Sequence, residues 1–108
     1  MDVREYETEH GTSPFAEWFE TLDAMAAAKV TTALTRLGQG NTSNVKGVGS
    51  GVFELRIDFG PGYRVYFGKD GTEVAILLNG GTKKRQQRDI AAAHDCWQDY
   101  KDRKKGEA

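Results

Sequence analysis

Phe15, Trp18, Phe19 and Leu22 stand at i, i+3, i+4 and i+7, the spacing that lays one apolar stripe along a helix. Upstream, Ser13 is placed to cap that helix, Pro14 to take its first position and Glu17 to sit in its first turn. Val30, Ala33, Leu34 and Leu37 repeat the spacing within MAAAKVTTALTRL, and Gly38 and Gly40 end the second helix. Only a residue or two around Asp23 separates the two. The pattern therefore predicts a tight αα-hairpin from Ser13 to Leu37.

Elsewhere the period shortens to two. Val3 to Glu7 reads as a short strand. From Val52 to Asp58, Phe53, Leu55 and Ile57 alternate with Glu54, Arg56 and Asp58. Phe59-Gly-Pro-Gly62 turns the chain, and from Tyr63 to Gly68 the apolar Tyr63, Val65 and Phe67 oppose Arg64 and Tyr66. Lys69-Asp70-Gly71 is a hairpin signal. Glu73 to Asn79 forms a third strand, whose VAILL run is apolar on both parities and so predicts a central strand covered on both faces. Gly80-Gly81 breaks it. Asp89 to Lys105 reads as a helix with Ile90, Ala93, Trp97 and Tyr100 inward. Residues 38–51, rich in Gly, Asn and Ser, are expected to be a loose loop. The order β-α-α-β-β-β-α makes residues 1–108 a single α+β domain, helices packed on an antiparallel sheet.

Parity fixes which side chains share a face. The apolar sets of the first two meander strands meet only if odd residues oppose odd ones, so Asp58 is expected opposite Arg64 and Arg56 opposite Tyr66. Glu54, Arg56, Asp58, Arg64 and Tyr66 then gather on the face away from the apolar stripe. Read plainly, that face is solvated and carries cross-strand ion pairs such as Asp58–Arg64.

The net charge of −1 hides a segregation. Residues 1–23 carry −6, residues 24–88 carry +6 and residues 89–108 carry −1. A basic central segment of this kind is compatible with a nucleic-acid face. Apolar content of 38% with 29% charged residues fits a folded domain rather than a disordered chain. No run approaches the ~18 apolar residues of a membrane span, and the N-terminus MDVREYETEH is acidic where a signal peptide is basic and then apolar. Cys96 is the one cysteine, which excludes an internal disulfide and a Cys-rich zinc site. A cytoplasmic protein without membrane association is expected.

Several residues invite a functional reading that their setting discourages. His94 borders the stripe of the last helix and reads as a packed or capping histidine, while His10 reads as a loop residue. Two distant histidines without a Cys pair argue against a metal site. Phe15, Trp18 and Phe19 are core aromatics by their spacing. The loop at 38–51 lacks the GxxxxGK[ST] order of a P-loop. Its Lys46 can touch RNA, although a flexible surface loop is the plainer reading.

The segments VFELRIDFGPGYRVYF and VAILLNGGTKKRQQRDIAAA resemble the RelE/ParE toxin superfamily, and within it the HigB-like group called addiction module killer proteins. The resemblance spans essentially the whole chain and implies a RelE-like fold and the toxin half of a type II toxin–antitoxin pair. It further implies a ribosome-dependent mRNA endoribonuclease (mRNA interferase) that needs no cofactor. ParE-like relatives are instead noncatalytic inhibitors of DNA gyrase, and an inactivated toxin that only binds its antitoxin is a third reading. Implied partners are a cognate antitoxin of the helix-turn-helix DNA-binding kind, the ribosome and mRNA, with operator DNA reached only through the antitoxin. By motif, Arg64 matches the GYR arginine used at the scissile phosphate, Arg56 and Lys84 match basic positions of the same site, and Lys83 is their neighbour. Where some relatives place a tyrosine or histidine near the last helix, this chain has Gln86, Gln87 and later His94, which leaves the general base open among Glu54, Asp58 and Tyr66.

The chemistry suits those residue types. RNA cleavage without a metal needs the 2′-OH deprotonated, the extra charge at phosphorus stabilised and the 5′-oxygen protonated. A guanidinium grips two phosphate oxygens at once. Arg64 is thus expected to clamp the transition state, Arg56 to position phosphate, and Lys84 with Lys83 to supply field and protons. Tyr66 can stack a base, and Arg85, Arg88 and Lys46 can track the RNA backbone. As a charge on a polar sheet face, Arg64 is expected to be removable without loss of fold.

Overall fold

The computed structural model describes residues 1–107. Strand β1 (Asp2–Glu5) leads into helices α1 (Pro14–Glu20) and α2 (Ala24–Gly38), then strands β2 (Val45–Gly47), β3 (Val52–Ile57), β4 (Tyr63–Asp70) and β5 (Val74–Thr82). A 3₁₀ turn, Lys83–Arg85, runs directly into helix α3 (Gln86–Glu107). The result is a mixed α+β architecture with one five-stranded sheet in the order β1-β5-β4-β3-β2.

Local chemistry explains the helical hairpin as expected. Ser13 Oγ accepts from the Ala16 amide, Pro14 occupies the first helical position, and Asp23 Oδ1 accepts from the Ala26 amide to start α2. Gly40, at φ +92°, follows the end of α2 where a left-handed residue is needed. The hairpin covers the sheet face that carries Leu55, Ile57, Val65, Phe67, Ala75 and Leu77, and buries Phe15, Val30 and Leu37 there.

Five expectations change. The sheet is not purely antiparallel, because β1 lies parallel to β5 with Val3 beside Ala75. The loop at 38–51 contains β2, which pairs antiparallel with β3 and sets Lys46 opposite Glu54; three residues are too few for a readable alternation. Gly80-Gly81 does not break β5. The strand runs through both glycines because a side chain at Gly80 would overlap Trp18 of α1, and one at Gly81 would overlap the Asp89 carboxylate of α3.

The register keeps the expected parity but slides by two residues: Arg56 faces Arg64 and Glu54 faces Tyr66. Asp58 lies beyond the ladder and pairs with Arg56 instead, Nε to Oδ1 at 3.5 Å. Finally, the even-numbered face is not solvated. Helix α3 lies across it and builds a second core from Tyr6, Val52, Tyr66, Ile76, Leu78, Ala93 and Trp97. Trp97 rests on Gly68, where a β-carbon would overlap its indole ring. The apolar character of VAILL on both parities is thereby satisfied, with Leu77 in the first core and Ile76 and Leu78 in the second. No helix is long and apolar enough to cross a membrane among the described residues.

Candidate nucleic-acid interface

Glu54 is the centre of the charged cluster, and only 1% of it is exposed. A carboxylate so buried needs cations and donors around it, and three segments supply them. Arg64 of β4 brings Nε to 3.5 Å of Oε1, Lys46 of β2 brings Nζ to 3.7 Å of the same oxygen, and Gln86 at the start of α3 donates Nε2 to Oε2 at 2.8 Å. Arg64 also donates from Nη1 to the Gly62 carbonyl at 3.2 Å. Its own exposure is 8%, so it is not the surface charge that alternation suggests.

Around this buried pair the other basic residues are open to solvent. Arg56 and Lys46 are exposed on β3 and β2, and with Glu54, Arg64, Ser43 and Asn44 they line a cleft of about 160 Å³. The 3₁₀ turn is anchored to the foot of β4 by the Lys83 amide, which donates to the Gly62 carbonyl at 2.9 Å. Lys83, Lys84, Arg85 and Arg88 project from that turn and the first turn of α3, all exposed. Arg64, Arg56, Lys46 and Lys83 thus gather around two adjoining points, Glu54 and Gly62. Lys84, Arg85 and Arg88 line the neighbouring depression formed by residues 83–88.

Tyr66 is a correction. It is fully buried under α3, so it offers no ring for a base to stack on. Burial, reinforced by the charge of Glu54, pushes its hydroxyl well above the usual tyrosine range. The hydroxyl has no hydrogen-bond partner in spite of lying near Glu54. Two other buried polar atoms share that condition: Arg64 Nε, which makes no hydrogen bond to Glu54 at its 3.5 Å separation, and Asn79 Oδ1. Asn79 faces Tyr66 across the β4–β5 ladder and spends its amide donor on the Asp89 carbonyl at 3.1 Å. The Asp89 carboxyl, half-buried against Gly81, is pushed up by burial, while Arg88 and Arg85 pull it down. All three unpartnered atoms among the described residues therefore belong to the polar side chains beneath the start of α3.

His94 is packed, with Nε2 at 3.0 Å from the Val48 carbonyl, far along α3 from this cluster. Sequence reasoning names Glu54 only as one of three open choices for the base and Gln86 only as a departure from the family pattern; it reads neither as a partner of the buried cluster. Gln86 is inconspicuous among the basic residues of KKRQQR, and Glu54 reads as one more polar residue on an open face. The signal for Glu54 is indirect: a strand that needs cover on both faces, β5, implies that its neighbour β4 and then β3 are covered too.

The arrangement offers a guanidinium with uncommitted donor capacity beside a carboxylate, at the bottom of a cleft rimmed by mobile-stemmed cations. Such a rim attracts a polyanion, and the guanidinium beneath it can stabilise negative charge in a low-dielectric setting.

Comparison with known proteins agrees with a toxin-type domain. The chain is 43% identical over 83 residues to an uncharacterized protein of Haemophilus influenzae, an alignment covering 76% of this chain and 84% of the relative. The family model described as "Phage derived protein Gp49-like (DUF891)" matches residues 17–96, from within the first helix through the whole basic cluster and into α3. With well over half of its length matched, the chain belongs to the phage-derived Gp49-like family, a family of the RelE/Gp49 toxin type.

Proposed function

We propose that this protein is the toxin of a type II toxin–antitoxin pair and acts as a ribosome-dependent mRNA endoribonuclease of the HigB-like, RelE-like kind in the cytoplasm. The observation that carries the reading is the Arg64–Glu54 pair at the bottom of a cleft rimmed by Arg56 and Lys46 and flanked by Lys83 and Lys84. The family's association with toxins supports it.

In this reading the exposed cations seat the RNA backbone, with Arg85 and Arg88 extending the track. Glu54 takes the 2′-OH proton, and the freed 2′-oxygen attacks phosphorus. Arg64 holds the charge that builds on the phosphoryl oxygens, with Arg56 positioning the phosphate. The bond from phosphorus to the 5′-oxygen breaks, Lys84 or Lys83 protonates the leaving oxygen, and a 2′,3′-cyclic phosphate remains. Positioning by the ribosome supplies much of the rate for so small a site. A cognate antitoxin of the helix-turn-helix kind is the expected partner and carries the complex to operator DNA.

One observation favours a second reading. Arg64 is nine-tenths buried and tied to Glu54, as a purely structural pair would be, and this suits a noncatalytic, ParE-like gyrase inhibitor or a toxin that only binds its antitoxin. Primer extension on a ribosome-bound message separates these possibilities, run with the native protein, Arg56→Ala and Arg64→Lys beside thermal melts. Removing one transition-state donor costs on the order of a hundredfold in rate, so both variants should melt normally and cleave far more slowly. An intact message with double-strand breaks in cellular DNA would identify the gyrase reading.

A further inference from the structure

The opposite side of the molecule carries a second feature. Strand β1 is an edge of the sheet, held only by β5. Its Asp2 and Tyr6 amides donate inward, to the Glu73 and Leu77 carbonyls at 2.6 and 2.8 Å. Because a strand's amides alternate in direction, the N–H and C=O groups of Val3 and Glu5 point outward from the sheet. They meet no hydrogen-bond partner among the described residues. An unpaired edge of this kind is a template for another strand.

Beside that edge runs a groove of about 560 Å³ between β1 and the flanks of α1 and α2. Its walls include Val3, Phe15, Phe19 and Leu34, and Glu5 and Glu20 are its only charged side chains. Both carboxylates are exposed, and neither has an ion-pair partner among the described residues. They belong to the N-terminal stretch of charge −6. Backbone groups, apolar walls and two free carboxylates are the three parts of a strand-addition site with a charge preference.

We infer that this edge and groove receive an extended, basic segment of a partner protein. The segment pairs with β1 as a sixth strand, sets apolar side chains of one parity against Phe19 and Leu34, and places lysine or arginine of that parity on Glu5 and Glu20. The acidic groove favours such a segment over an acidic one. This surface is separate from the basic cluster, and the inference stands whether or not that cluster cleaves RNA.

The probe is a synthetic eight-residue peptide, Thr-Lys-Thr-Val-Thr-Val-Thr-Lys, titrated into the full-length protein and followed by amide NMR shifts. Shifts should concentrate at Val3–Glu5 and along the groove walls. A twin with glutamate for lysine, and another N-methylated at alternate amides, should each bind at least tenfold more weakly. Glu5→Lys/Glu20→Lys, both exposed positions, should weaken the parent peptide to the same degree with an unchanged melt. Equal binding of the acidic twin, equal binding of the N-methylated twin, or shifts centred on residues 83–88 would each overturn the inference. So would self-association of the unliganded protein through β1, which would make a second copy the occupant.

Discussion

Glu54 Oε1 lies 3.5 Å from Arg64 Nε with both side chains withdrawn from water. A buried pair loses more when one member is removed than when both are, because the survivor keeps its desolvation cost. Arg64→Ala is therefore expected to destabilise the fold by about 3 kcal/mol, well beyond the ~0.5 kcal/mol of a surface change. The double variant Glu54→Gln/Arg64→Gln should recover much of that loss. Urea melts of the two proteins check this, and equal stability of Arg64→Ala and the native chain would mean that Glu54 is held by Lys46 and Gln86 alone.

Glycines under tryptophans give a cleaner test of packing. A methyl group at Gly68 meets the Trp97 ring, and one at Gly80 meets the Trp18 ring. Gly68→Ala and Gly80→Ala should each cost about 1–3 kcal/mol, the range of an overpacked core. Gly106→Ala, in the exposed last turn of α3 with nothing near its position, should be neutral or slightly stabilising. Thermal melts of the three variants would rank them in that order.

Acid should loosen one end of the molecule first. Hydrogen bonds from Lys104 and Tyr100 hold the Asp70 carboxyl below its ordinary value of 3.8, and the Tyr6 hydroxyl, then Arg103, do the same for Asp99. A carboxyl with a depressed folded value stabilises the fold above its unfolded value, and that contribution is lost as pH falls through the folded one. Amide protection, taken relative to the intrinsic exchange rate, should fall at the C-terminal half of α3 below about pH 4, ahead of protection in β4 and β5. A uniform loss of protection across the chain would show that the two aspartates do not act locally.

The same contacts predict an alkaline limit. Burial and a hydrogen bond to Asp99 push the Tyr6 hydroxyl up to about 12, and burial with Asp70 does the same for Tyr100. A raised folded value stabilises below the unfolded value of 10.0 and fades as pH climbs through about 12. Tyrosinate absorbance should therefore show Tyr6 and Tyr100 ionising about two pH units late, with Tyr66 later still. Tyr6→Phe and Tyr100→Phe would each remove one residue from the step near pH 12; loss of a step near pH 10 in either variant would refute the assignment.

Helix starts and odd-numbered strand residues were legible because each depends on local chemistry: Ser13 and Asp23 cap their own neighbours, and Phe53, Leu55 and Ile57 declare their face by alternation. The even-numbered face was misread for the same reason. Glu54, Arg56 and Arg64 alternate like solvent-facing residues, yet α3, more than thirty residues further along the chain from Glu54, comes back to cover two of the three. Tyr66 follows them into the second core. Pairing parity survived this error because apolar residues set it, whereas the exact register depended on the turn after Ile57 and slid by two. The basic cluster was visible in KKR and GYR, and Glu54 stood among three candidate bases; that Glu54 and Gln86 join Arg64 and Lys46 in one buried cluster was not, since those contacts exist only once β2, β4 and α3 meet.

The parallel ladder between β1 and β5 joins residues 2–5 to residues 74–77. During synthesis the first strand to leave the exit tunnel must wait for the last before it can join the sheet. Gln86, which closes the Glu54 cluster, emerges later still. The Glu54 cluster thus stays incomplete until β5 and the start of α3 have been made, long after Glu54 and Arg64 themselves. A truncated product ending before α3 would carry every cation named here up to Arg85 without the geometry that organises them.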